Sequence, residues 1–198
     1  MEKKDLKPAG VFKYFEEICQ VPRPSKKEEK IIAYLKAFGA KHNLETKVDE
    51  AGNVLIKKPA TPGKENLQTV VLQSHIDMVC EKNNDVQHDF LTDPIETEID
   101  GEWLKAKGTT LGADNGIGVA TELAILSDDS IEHGPLECLF TVDEETGLTG
   151  AFELKEGFMS GDILLNLDSE DEGEIFIGCA GGIDSVAEFA YKEVEVPA

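Results

Sequence analysis

The chain has no apolar run approaching the roughly 20 residues of a membrane-spanning helix. Nor does an apolar stretch follow Lys3 and Lys4 as it would in a secretory leader. Both absences predict a cytoplasmic protein with no membrane partner. Cysteine is sparse: Cys19, Cys80, Cys138 and Cys179 stand far apart with no C-x-x-C pair. That spacing argues against a zinc knuckle and a disulfide framework and leaves free thiols in a reducing compartment. Basic residues are scarce as well, 19 Lys and Arg against 40 Asp and Glu, a formal net charge of -21. Such a field repels nucleic acid, so no nucleic-acid partner is expected. Most of the acid is read as solvated surface.

What remains is ordinary for a globular protein, 198 residues of which 40% are hydrophobic, enough for one domain with a full core. Val11, Phe12, Phe15, Ile18 and Cys19 follow helical spacing up to Pro22. Ser25 and Glu28 read as a capping box ahead of a second helix carrying Ile31, Ile32, Leu35 and Phe38. Residues 44–50 and 54–58 read as a hairpin, and so do 95–99 and 103–106 around Asp100-Gly101. Thr69-Val70-Val71-Leu72, Leu136 to Val142, and Asp162 to Leu167 are short continuous apolar runs, the mark of strands buried on both faces. A helix is predicted over 116–126, and alternation at Ala187, Phe189 and Tyr191 predicts a strand with one exposed face. Strands alternating with helices predict an α/β three-layer sandwich around a mixed, largely parallel sheet, with a domain boundary near Gly182.

Chemistry-bearing residues fall where these strands run out. His75, Glu144, Glu145 and Asp168 each lie just beyond an apolar strand, and Asp114 sits in a glycine-flanked turn before a helix. Open α/β sheets bind ligands at the carboxyl ends of their strands. Several carboxylates gathered there would repel one another unless cations shared the charge, which points to one or two divalent metals. In His75-Ile76-Asp77 the first and third side chains share a face, so Asp77 can orient the imidazole. Gly112 and Gly116 would let the chain turn sharply about Asp114. Of the adjacent Glu144 and Glu145, one can serve as ligand and the other as base.

Each residue also has a plain structural explanation. A lone histidine is commonly a hydrogen-bonded core residue, Asp114 could cap a helix, and Glu144-Glu145 could be a solvated loop. Four strand or turn ends agreeing in chemistry favour the metal reading over these. Two other motifs fail on spacing. The segment from Asp168 to Gly173 superficially resembles a calcium loop, but Cys179 takes the twelfth position where a glutamate belongs, and glycines 112, 116 and 118 fit no nucleotide fingerprint.

The segments Leu72-Gln73-Ser74-His75-Ile76-Asp77, Gly112-Ala113-Asp114-Asn115-Gly116, Asp143-Glu144-Glu145-Thr146-Gly147, Leu167-Asp168-Ser169-Glu170 and Gly178-Cys179-Ala180-Gly181-Gly182 resemble the aminoacyl-histidine (Xaa-His) dipeptidases. These belong to the co-catalytic zinc peptidases and aminoacylases. The resemblance implies a zinc-peptidase-like fold and two divalent metal ions, zinc first, with cobalt or manganese acceptable to a carboxylate-rich set. It also implies that His75 and Asp168 bind one metal, Asp114 bridges both, Glu145 binds the second, Glu144 is the general base and Asp77 holds His75. A dipeptide is the implied substrate and a homodimer the implied assembly of the intact protein.

Members of that family are longer, with a second domain inserted after the Gly-Gly segment and a return that supplies another histidine. Residues 1–182 are therefore expected to be the amino-terminal part of the catalytic domain, and 183–198 the start of the inserted one. The chain then looks truncated and inactive alone, with apolar surface uncovered. His42, His88 and His133 match no family ligand. The alternatives are an N-acyl amino acid amidase or deacylase using the same metals, and a non-catalytic metal-binding or interaction module.

Overall fold

The apolar runs become the middle of a sheet. In the computed structural model, which describes residues 2–169, 171, 173–179, 181–182 and 185–192, the central strands are β3 (Val70–His75) and β6 (Leu136–Thr141). They pair in parallel with His75 opposite Thr141. On the outer side of β3 runs β7 (Ile163–Asn166), also parallel, with Gln73 opposite Asn166. On the far side of β6 lies the hairpin of β1 (Glu45–Val48) and β2 (Val54–Lys58), both pairings antiparallel, giving the order β1-β2-β6-β3-β7. The expected mixed sheet is present, and its parallel half is β6-β3-β7.

Alternation along the strands divides the core. Val54, Ile56, Leu72, Cys138 and Phe140 face α1 (Ala9–Cys19), α2 (Glu29–Lys41) and α3 (Ala113–Ser127), where they pack on Phe15, Ile18, Ile31, Leu35, Val119 and Leu123. Leu55, Val71 and Leu139 face the other way, onto Leu154, Phe158 and Met159 just after the one-turn α4 (Thr149–Phe152). Helices on one face and this thinner cover on the other make the three layers. A second small sheet, β4 (Thr97–Asp100) with β5 (Trp103–Ala106), is the predicted hairpin; its two-residue turn is Gly101-Glu102, one residue later than expected, with Gly101 at φ +63°.

Three expectations change. The first is the capping box: α2 has no side-chain cap, because the Ser25 hydroxyl donates to Asp77 and Glu28 Oε1 accepts from the Lys26 and Asp143 amides. Tertiary partners outcompeted the local ones. The second is the strand at 187–191, which does not form; residues 185–192 pair with no strand and Phe189 is 85% exposed. Alternation alone cannot satisfy a strand's backbone, which needs a neighbouring edge. The third is β7, read as a strand buried on both faces: it has no outer partner among the described residues and Leu164 and Leu165 stay about half exposed, the uncovered apolar surface itself being expected. No described helix is long and apolar enough to cross a membrane.

One polar cluster fastens the thin cover to the sheet. The buried Glu137 on β6 accepts from Lys57 Nζ at 2.6 Å across the β2–β6 pair, and from the Ser160 amide at 2.7 Å and hydroxyl at 2.5 Å. Burial would raise its pKa, but Lys57 and Ser160 outweigh that and hold it below 4.5. A depressed carboxylate stabilises the fold above its unfolded pKa and loses that contribution as pH falls through the folded value. Glu137→Gln is therefore expected to cost about 2 kcal/mol in urea unfolding at pH 7. The gap between variant and parent should close under acid conditions that protonate the native glutamate.

Candidate metal centre

Because β3, β6 and β7 run parallel, their carboxyl ends share one edge of the sheet, and the register brings the residues beyond those ends side by side. His75 closes β3 opposite Thr141; Asp143, Glu144 and Glu145 come next on the β6 side, and Asp168 lies two residues past Asn166 of β7. The fourth contributor, Asp114, enters from α3, whose first turn is irregular. Asp114 and Asn115 have non-helical φ/ψ and are joined by a cis peptide, and regular helix begins at Gly116, as the sequence pattern predicts.

Asp77 organises the edge. It is fully buried and accepts four hydrogen bonds: from His75 Nδ1 (3.2 Å) and the Glu144 amide (3.0 Å) at Oδ1, and from the Ser25 hydroxyl (2.7 Å) and the Glu145 amide (3.2 Å) at Oδ2. Burial opposes its charge, yet the imidazole, hydroxyl and amide donors prevail and bring its pKa down to about 2. The same bond turns the other ring nitrogen of His75 outward. Nε2 lies 3.0 Å from Asp114 Oδ1 and 3.8 Å from Asp168 Oδ1. Burial disfavours the imidazolium, but Asp77 and Asp114 on opposite ring nitrogens raise its pKa to about 9.

His75, Asp114 and Asp168 each present a ligand atom within 4.8 Å of the others. Asp168 is further held by Asn115 Nδ2 at 2.6 Å. Burial, with Asp114 alongside, raises its carboxyl pKa despite that bond. Glu144 and Glu145 also titrate high, first through burial and then through their acidic neighbours; Asp168 acts on Glu144, and Asp114 on Glu145. A cleft of about 920 Å³ runs from Leu139 and Leu164 to Glu144 and Asp168.

One imidazole facing an excess of carboxylates fits a divalent cation. In the metal-free chain the Nε2 proton holds Asp114, and a metal ion at the same place would bind both groups and relieve the acid surplus. A second acidic group, Glu28, Asp77 and Asp143, also comes within 4.8 Å but is already surrounded by donors. The Thr146 and Thr149 hydroxyls donate to Asp143, and amides to Glu28, so this group is a brace under the Glu144-Glu145 loop. His42, His88 and His133 stand apart: His42 packs on Phe38, His88 on Phe90, and His133 Nδ1 bonds the Gly134 carbonyl.

The model of peptidase family M20/M25/M40 matches residues 71–193. The chain belongs to that family. It is 51% identical over 197 residues to the cytosol non-specific dipeptidase of Escherichia coli, covering 100% of this chain and 41% of that protein. Among solved structures, it is similar to the aminoacylhistidine dipeptidase of Vibrio alginolyticus, with TM-score 0.85 and 55% identity over 87% of this chain and 35% of that one. The aminopeptidase PepT of Bacillus cereus follows with TM-score 0.70 and 26% identity, over 82% of this chain and 43% of that one. The M20 chain thus spans about two fifths of the length of the dipeptidase it matches.

Within this M20 fold the structure places His75, Asp77, Asp114, Glu144, Glu145 and Asp168 at one sheet edge, and the sequence pattern does not single out Ser25 or Asn115 as their partners. Ser25 is masked by a local capping pattern, and Asn115 by its acidic neighbour. Asp77→Asn replaces an acceptor of four donors with a group that itself donates. It is expected to cost about 3 kcal/mol in denaturant unfolding. The His75 pKa, followed by imidazole NMR in the metal-free chain, should fall from about 9.

Proposed function

We propose that the complete protein is a metal-dependent dipeptidase of the cytoplasm, acting on Xaa-His or a broader range of dipeptides. The observation that carries this reading is the convergence of His75, Asp114 and Asp168 within 4.8 Å at the carboxyl ends of parallel strands. Under this reading His75, Asp114 and Asp168 hold one divalent metal, with Asp114 and Glu145 holding a second. Zinc suits the imidazole and carboxylates, and cobalt or manganese can replace it. The metals would make a water acidic and polarise the peptide carbonyl.

The chain's own residues do the rest. Asp77 fixes the His75 tautomer through Nδ1 and, by binding the Glu144 and Glu145 amides, sets where their side chains start. A glutamate whose pKa is raised by burial is suited to accept a proton and return it, so Glu144 would take the water proton at its carboxylate and deliver it to the leaving amine. Further sequence is expected to complete the second metal's ligands with a histidine. Residues 1–182 would then form the first part of the catalytic domain and 183–198 the start of an inserted one, in a homodimer. The exposed outer edge of β7 supports further sheet on that side.

The test uses the full-length protein. Native mass spectrometry should find two divalent metals per chain, chelation should abolish dipeptide hydrolysis, and Glu144→Gln should lower kcat by about 10² to 10⁴ with both metals retained. Unchanged turnover in Glu144→Gln would sink the assignment of the base. Preference for N-acyl amino acids would move the substrate class to the deacylases, and metal binding without any turnover would make the protein a binding module.

A further inference from the structure

Arg23 lies beneath the metal centre, 3% exposed, on the link between α1 and α2. Its guanidinium faces backbone. Nη1 donates to the carbonyls of Ile76 (3.2 Å) and Asp77 (3.0 Å), and Nη2 to that of Gly112 (2.5 Å). Among the described residues it forms no ion pair, and burial opposes its charge while the Asp77 carboxylate favours it.

The neighbouring sequence is shaped around this side chain. Gly112 has φ +68°, and a Cβ there would stand 2.5 Å from Nη2; a Cβ at Gly116 would stand 2.6 Å from the same nitrogen. Gly116 is helical with ordinary φ, so its smallness serves Arg23 and not, as its sequence position suggests, the turn. The next two residues continue the strap, with Pro24 bridged to Met78 and the Ser25 hydroxyl on Asp77. One planar fork thus joins the segment that carries His75 and Asp77 to the turn that presents Asp114. These two segments are some 35 residues apart in sequence, and no β-ladder joins Gly112 to the sheet.

An apolar side chain in its place would leave three carbonyls without their donor. The fork geometry, which lysine lacks, is what the site uses. We propose that Arg23 is a positioning residue of the metal centre, setting the separation between His75 and Asp114. This rests on the proposed metal site.

The test titrates Co2+ into the full-length protein and its Arg23→Met and Arg23→Lys variants, reading affinity and the visible absorption bands that report coordination geometry, with metal-free thermal unfolding alongside. Both variants are expected to bind Co2+ about tenfold more weakly or worse, with altered bands. If either folded variant binds within about twofold of the parent with unchanged bands while its Tm falls, Arg23 is a structural residue only and the proposal is overturned. Should Arg23→Met fail to fold, Arg23→Lys decides by the same criteria. A parent chain that takes up no Co2+ would instead refute the metal site, and this proposal with it.

Discussion

A single buried carboxylate, Asp77, is the point on which the carboxyl edge of the sheet depends. Four donors from three stretches of chain converge on its two oxygens: the Ser25 hydroxyl before α2, the His75 ring on β3, and the Glu144 and Glu145 amides after β6. A buried carboxylate is tolerable only when fully satisfied, so each donor is held as firmly as the charge requires. The orientation of the imidazole and the course of the Glu144-Glu145 loop are consequences of the same charge. Beneath that loop, Asn53 adds a second brace, its amide bonded to the Gly150 carbonyl and the Val142 amide.

Electrostatics explains why this edge is acidic without flying apart. The His75 imidazole is shared by Asp77 and Asp114. Asp168, Glu144 and Glu145 respond by holding protons more tightly than isolated carboxyls do. A divalent ion would offset that repulsion at a site whose outer hydrogen bonds already orient the side chains.

Much of this is legible in the sequence, for identifiable reasons. Continuous apolar runs such as Val70–Leu72 can only be strands with both faces covered, and polar residues at their ends must then share one edge if the strands are parallel. Hence His75, Glu144, Glu145 and Asp168 can be grouped without coordinates. Ser25 and Glu28 mislead because a local capping pattern looks the same whether the side chains cap the helix or reach across to Asp77 and Asp143. Arg23 gives no signal, since a buried arginine bonded to carbonyls has no sequence pattern of its own. The alternation at 187–191 carries strand propensity but no partner, and propensity without an edge makes no ladder.

The sheet is unevenly finished, and the site sits where the finish changes. On one face the core of β2, β6 and β3 is closed by α1, α2 and α3. At the β7 edge the strand's own leucines stay half exposed. Asp168 belongs to this less supported side, yet its position is fixed from the other one, by Asn115 at the foot of α3. Since α3 also carries Asp114, and Arg23 ties the turn before it to the His75 segment, His75, Asp114 and Asp168 all take their positions from the well-packed half of the molecule, independently of what covers β7.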